Sequence, residues 1–161
     1  MAEKLFAGLS YDDVLHRYAD TVAGVCVMRL RNYADAEDCF QNTFIKLFQK
    51  SPDFENETHL KAWLIRVAIN ECRNYISFNR RFVSLSAAAR EVVEPRENES
   101  DISWAMMRVE PKYREVLYLH YCEGYKVGEI AGILKKTPNT VKTLLRRGRE
   151  KLKVAYGGDE I

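Results

Sequence analysis

The side chains of this chain best suited to directed polar contacts at regular spacing lie in TPNTVKTLLRRGREKLK, Thr137 to Lys153. Six basic residues stand there against one acid, Glu150. Asn139, Thr140, Lys142, Thr143, Arg146, Arg147 and Arg149 offer amide, hydroxyl, ammonium and guanidinium donors at helical intervals. Such donors suit two tasks, hydrogen bonding to base edges and neutralising phosphates. A basic face that is merely solvated would carry interspersed acids for i,i+4 pairing. With only Glu150 in place, nucleic acid is the favoured partner.

No other chemistry competes with this reading. The four cysteines, Cys26, Cys39, Cys72 and Cys122, are far apart and never form C-x-x-C. That spacing argues against a disulfide framework and a zinc site. Three of them fall on apolar helix faces and read as small buried hydrophobes. His16, His59 and His120 have no ligand-like spacing, and His120 reads as a core or cleft-lining side chain. No Gly-rich phosphate loop, G-x-S-x-G elbow or H-E-x-x-H occurs. The expectation is a protein that is not an enzyme, with no cofactor and no metal.

Apolar content of 47% with 30% charged residues describes a globular chain. No apolar run approaches the roughly 20 residues that cross a bilayer, so no membrane insertion is expected. MAEKLFAGLSYDD has no long apolar core ahead of its acids, unlike a signal peptide, which points to the cytoplasm. Residues 1–100 hold 13 Lys and Arg against 15 Asp and Glu, a net of −2. Residues 101–161 hold 12 against 8, a net of +4, so the near-neutral total conceals a basic C-terminal module.

The elements that position these residues are helices, since apolar residues recur at three- and four-residue spacing without strand alternation. Ser10 with Asp13 opens the first, whose inner face is Val14, Leu15, Tyr18, Val22, Val25, Cys26 and Arg29, ending near Asn32. Asp35 is the expected N-cap of the second, with Cys39, Phe40, Phe44, Leu47 and Phe48 as its stripe and Pro52 after its stop. Thr58 is the expected cap of a long third helix with Leu60, Trp63, Leu64, Val67, Ala68, Cys72, Tyr75 and Ile76 inward. SLSAAAREVVEPRENESD then breaks the composition and reads as an acidic linker. Beyond it come ISWAMMRV, a helix opened by Pro111 and closed at Gly124, VGEIAGIL, and the basic helix with Thr137 as cap and Pro138 at its first position.

VGEIAGILKKTPNTVKTLLRRGREKL has the arithmetic of a helix-turn-helix. Val127, Ile130, Ala131 and Leu134 face the core, Lys135 to Thr137 form the turn, and Val141, Leu144, Leu145, Gly148 and Leu152 face inward from the second helix. In this motif the first turns of the second helix meet base edges and flanking cations hold phosphates. Asn139, Lys142, Thr143 and Arg146 are placed to read bases, and Arg147, Arg149, Lys151 and Lys153 to hold the backbone. The turn commonly has Gly followed by an apolar residue, whereas Lys135 and Lys136 stand here. A non-Gly residue in a left-handed conformation costs about 1 kcal/mol, so the turn and the tilt of the reading helix are open to remodelling.

With both halves set side by side, the chain from about Tyr11 to Lys153 resembles a bacterial RNA polymerase sigma factor of the extracytoplasmic-function class in the sigma-70 family. DAEDCFQNTFIKLF is similar to the family's polymerase-binding helix, KAWLIRVAINECRNYISFNRR to its promoter-melting and −10-reading helix, and EPKYREVLYLHYCEGYKVGEIAGILKKTPNTVKTLLRRGREKL to its −35-reading domain. The resemblance implies an all-α fold of two small helical domains joined by a flexible acidic linker, the second ending in the helix-turn-helix. It sets sigma domain two at 1–81, the linker at 82–101, sigma domain four at 102–155 and a tail at 156–161. The implied function is to bind RNA polymerase core and direct promoter-specific initiation; a stand-alone helix-turn-helix regulator is the alternative. The implied partners are promoter DNA, the clamp coiled coil and flap of the polymerase, and an anti-sigma factor.

Residue by residue, the polymerase-binding set is Asp35, Asp38, Gln41, Asn42, Phe44 and Leu47. Capping and the helix dipole account equally for Asp35 and Asp38, and Phe44 and Leu47 have a competing reading as core. The −10 and melting set is Phe54, Asn56, Lys61, Asn70, Arg73, Asn74, Arg80 and Arg81, opposed on the same helix only by Glu71. Strand opening needs cations for the backbone and a pocket for an unstacked base. Phe54, Asn56 and Asn70 are the candidates for that pocket, with Phe54 equally readable as a loop anchor. Trp63 is assigned to the core.

Overall fold

The computed structural model describes residues 3–30, 32–82 and 105–157, the side chains of 77–82 excepted. The chain divides into two units, Met1–Arg90 and Glu91–Ile161, and each builds its own core. The linker beyond Phe82, the start of ISWAMMRV and the last four residues of the tail lie outside the described residues. Among the described residues the only extended pairing is an isolated bridge between Phe6 and Leu9, so the expected all-α class holds.

Unit one is three helices, α1 Tyr11–Leu30, α2 Tyr33–Lys50 and α3 Glu57–Phe82, each packed on the other two. Ser10 opens α1 as expected, its hydroxyl accepting from the Asp13 N–H at 3.1 Å. The other two start signals move. Asn32, in extended backbone, caps α2 and accepts from the Asp35 N–H at 3.1 Å. Asp35 therefore lies inside the first turn, where its carboxylate takes the Tyr75 hydroxyl of α3. Asn56 rather than Thr58 caps α3, accepting from the His59 N–H at 2.9 Å. The earlier start places Glu57 in the first turn, where Arg17 and the Tyr18 hydroxyl (3.0 Å) of α1 both reach it. In each case an Asn lying nearer the preceding loop takes the cap, and the tertiary partner of the next acid fixes the choice.

One cysteine from each helix meets the others in this core. Cys26, Cys39 and Cys72 are buried, and Cys72 hydrogen-bonds both of the others. Those bonds, with burial behind them, push the Cys72 thiol up and keep it protonated. Small, weakly polar side chains let three helices converge without a polar group left stranded. Thr43 is equally buried because its hydroxyl donates to the Cys39 carbonyl at 2.8 Å. Ile65 and Ile69 also enter the core, widening the stripe of α3 beyond the expected residues, because α1 and α2 flank it on two sides.

Among the described residues of unit two a helical turn at residues 105–107 comes first. Then come α4 Pro111–Leu117, α5 Val127–Leu134 and α6 Pro138–Gly157, with α6 packed on both α4 and α5. Buried Arg114 of α4 ties the preceding turn down by donating to the carbonyls of Met107 (3.2 Å) and Val109 (3.0 Å). The helix opened by Pro111 does not run as α to Gly124. It widens into a π-helical turn, Tyr118–Cys122, before Gly124 turns the chain at φ 76°. Where α6 crosses α4, a Cβ on Gly148 would meet the Leu117 side chain at 3.2 Å and Tyr113 Cβ at 3.3 Å. Gly148 thus permits the close approach that seats α6.

Candidate functional site

The turn between α5 and α6 has the expected three residues. Lys135 adopts the left-handed conformation at φ 56° and ψ 48°, and the Lys136 N–H donates to the Ala131 carbonyl at 2.9 Å. A lysine therefore occupies the glycine position with the turn geometry kept, at a strain cost of about 1–2 kcal/mol. Thr137 caps α6 as expected, its hydroxyl oxygen accepting from the Thr140 N–H at 3.2 Å. Val141, Leu145 and Gly148 are buried and fix the rotation of α6.

That rotation sorts the polar residues. Lys142, Arg146, Arg149 and Lys153 recur at i, i+4, i+7 and i+11, are all exposed, and form one stripe with Asn139 at its head. Thr140, Arg147 and Lys151 run along the other flank. Thr140 is held by its cap, its hydroxyl 2.8 Å from that of Thr137, and half-buried Thr143 donates to the Asn139 carbonyl at 3.0 Å. Lys151 departs from the sequence expectation. Its ammonium bonds Glu110 at 3.1 Å and lies 5.3 Å from the Tyr113 ring centre, so it fastens α6 to the start of α4. The Glu110 carboxylate holds that ammonium above its ordinary range.

On α2 the structure moves the apolar members of the expected set. Phe44 and Leu47 are 3% and 0% exposed and packed in the core, which is their competing reading from sequence. Ile45 and Phe48, at 48% and 63%, are the exposed apolar residues instead. Burial of Cys39, Thr43, Phe44 and Leu47 sets the phase of the helix. Asp38, Gln41 and Asn42 are exposed as expected and share a face with Ile45, three to seven residues on. Asp35 is half-buried and engaged by Tyr75, which favours its structural reading.

On α3, Arg66, Asn70, Arg73 and Asn74 share one face, with Asn70 and Asn74 exposed. Lys61 is in phase with Leu64, Ile65 and Ala68 and belongs to another side. The side chains of Arg80 and Arg81 lie outside the described residues. Glu71 does not oppose the cations of this face, since it pairs with Lys46 of α2. Trp63 is half-buried, not core, and lies in line with Asn70 at i+7. Phe54 packs edge-on against it at 5.6 Å between ring centres and against His59 at 5.2 Å. Phe54 thus anchors the loop onto α3, the second of its two readings from sequence, and is half-buried there. Asn56, occupied with the cap, is 14 residues before Asn70, roughly 21 Å along the axis at 1.5 Å per residue. No single base can touch both, so the three-residue pocket read from sequence is two places.

Comparison with known proteins agrees with this layout. The family model for Sigma-70 region 2 matches residues 14–82 and that for Sigma-70 region 4 matches residues 102–152. The chain is 28% identical to RNA polymerase sigma factor CarQ of Myxococcus xanthus, over 94% of this chain and 92% of that protein. It is 26% identical to the ECF RNA polymerase sigma factor SigW of Bacillus subtilis, over 89% and 87%. Among solved structures its fold is similar to the sigma factor RpoE crystallised with the anti-sigma factor NepR from Bartonella quintana, with a TM-score of 0.78 at 23% identity, covering 93% of this chain and 98% of that one. CnrH in complex with the cytosolic domain of CnrY gives a TM-score of 0.65 at 22% identity, covering 93% and 89%. Among the described residues no helix is long and apolar enough to cross a membrane. The two matched regions fall in order on the two helical units, and the chain belongs to the extracytoplasmic-function class of the sigma-70 family of RNA polymerase sigma factors.

Proposed function

We propose a division of the sigma-factor task, binding polymerase core and directing it to promoters, between the faces described above. The exposed stripe Lys142, Arg146, Arg149 and Lys153 is the observation that carries the reading. A helix seated by Gly148 and capped by Thr137 presents four cations on one side, with Asn139, Lys142 and Arg146 in the first turns that enter a major groove. Arg147, Arg149 and Lys153 hold the −35 backbone. On unit one, Arg66, Asn70, Arg73 and Asn74, bordered by Trp63 and Phe54, meet the opened −10 strand, where stacking and cations suit a single strand. Asp38, Gln41, Asn42, Ile45 and Phe48 meet the clamp coiled coil, a polar ridge with two apolar contacts, and unit two meets the flap.

The protein acts in the cytoplasm, without catalytic chemistry of its own, and an anti-sigma protein covers these faces when it is inactive. A structural neighbour, the sigma factor RpoE, was crystallised with the anti-sigma factor NepR, which supports that last point. The test is transcription in vitro with core polymerase and a genomic promoter pool. Promoter-specific transcripts that require both core and this chain are expected. Arg146→Ala should cost about 1–3 kcal/mol at the −35 element and relax base preference there. Sequence-specific DNA binding by the chain alone, with no effect on core, would favour a stand-alone regulator instead.

A further inference from the structure

We propose that Tyr121 is a DNA-phosphate contact that works as a pair with Arg149; this rests on the −35 reading of α6. Tyr121 lies on the π-helical turn that precedes the helix-turn-helix, and at 59% it is among the most exposed large hydrophobic side chains of the described residues. π turns inside helices recur at functional sites. The Arg149 guanidinium donates to the Tyr121 phenol oxygen at 3.2 Å. The phenol therefore flanks the stripe Lys142, Arg146, Arg149 and Lys153 at the point where α6 leaves its first turns.

The ring is held in place from behind. The His120 ring meets it edge-on at 4.8 Å and 81°. His120 is itself fixed by Nδ1, 2.8 Å from the Tyr125 carbonyl, a contact in which the nitrogen must be the donor. A phenol has one donor and two acceptor sites. Arg149 occupies an acceptor site, so the hydroxyl proton points elsewhere, and among the described residues no protein acceptor takes it. Receiving a bond from a cation also strengthens the O–H as a donor. A neutral O–H and a guanidinium are thus aimed past the same edge of α6, the arrangement that suits one phosphodiester oxygen pair. A base edge is disfavoured because Arg149 lies beyond the turns that enter the groove. The contact is sequence-independent and sets the height of α6 on the duplex.

The test uses polymerase core with the full chain on duplexes carrying a consensus or a scrambled −35 element, titrated across salt. Tyr121→Phe retains the ring and removes only the hydroxyl. It should weaken both duplexes alike, by about three- to tenfold, as loss of one solvent-exposed hydrogen bond of ordinary net strength does. The salt slope should not change, because no charge is removed. Arg149→Ala should lower that slope by about one, and in its background Tyr121→Phe should have little further effect. A methylphosphonate placed at successive backbone positions should abolish the Tyr121→Phe effect at one position only. Unchanged binding by Tyr121→Phe, or a change in base preference, would overturn the proposal. Arg146→Ala separates the two levels of the argument. If it relaxes −35 preference while Tyr121→Phe is silent, only the phosphate contact fails; if neither matters, the reading of α6 itself has failed.

Discussion

Lys135 in the turn offers the sharpest link between backbone and function. It stands at φ 56°, ψ 48°, where a side chain costs about 1–2 kcal/mol that glycine escapes. Glycine gives back about 0.5–1 kcal/mol through the entropy of the unfolded chain. Lys135→Gly should therefore exceed Lys135→Ala in stability by a net ~0.5–1 kcal/mol. Both variants lose the ammonium, so their difference isolates the backbone. With two units in the chain, a single melting curve is a poor measure, and native-state amide exchange is better. Amides of the buried residues Ile130, Val141 and Leu145 should exchange about two- to fivefold more slowly in the Gly variant than in the Ala variant. Those of Leu64 and Ala68 in unit one should not respond. If Lys135 also contacts a phosphate, both variants lose about one unit of salt slope together. Equal protection in the two variants would refute the left-handed strain. A salt slope that differs between them would show that the turn, through the tilt of α6, controls contacts elsewhere on the helix.

Two further predictions concern unit one and the thiols. The Arg17 hydrogen bond, with that of Tyr18 behind it, holds the Glu57 carboxyl below its ordinary value of 4.5. A depressed carboxyl stabilises the fold above its unfolded pKa and loses that contribution as pH falls through the folded one, so the loss sets in below about pH 4.5. Glu57→Gln should flatten that acid limb for unit one amides and leave unit two unaffected; an unaltered limb would refute the pairing. A maleimide applied to the native chain should label Cys122 alone, and slowly, since burial and then the nearby Glu123 push its thiol up. Cys26, Cys39 and Cys72 should label only with unfolding, and native labelling of any of them would contradict the closed core.

What could be read from sequence alone follows from how local each signal is. Proline at the first helical position and a threonine cap act within one turn, so Thr137, Pro138 and the three-residue turn are legible as written. The apolar period likewise yields three helices and a helix-turn-helix. Phase is harder. The inward stripe read for α2 holds at Cys39, Phe44 and Leu47, but Thr43 joins it, its hydroxyl bonded to the Cys39 carbonyl, and Phe48 leaves it for the exposed side beside Ile45. Caps at Asn32 and Asn56 depended on where Asp35 and Glu57 find partners some 40 residues away. The meeting of three cysteines, and of Tyr121 with Arg149, is non-local in the same way. Exposed Tyr121 has one sequence signal, an aromatic residue just before a glycine turn, and an uninterrupted α-helical period hides it by setting Tyr121 in phase with buried Leu117.

The cations of α6 show how one helix serves folding and binding without conflict. Its buried edge, Val141, Leu145 and Gly148, is narrow because glycine lets the backbone itself approach α4. A narrow buried edge leaves two polar flanks. On one flank Lys151 reaches Glu110 and the Tyr113 ring, an exposed contact that orients the helix more than it stabilises it. On the other, Arg149 is steadied by a neutral phenol instead of a carboxylate, so its charge is not cancelled. An acid at position 121 would orient Arg149 equally well and repel a phosphate. Under the proposed −35 reading, acid against phenol is the difference between Lys151, whose charge is spent on the fold, and Arg149, whose charge is kept for a phosphate.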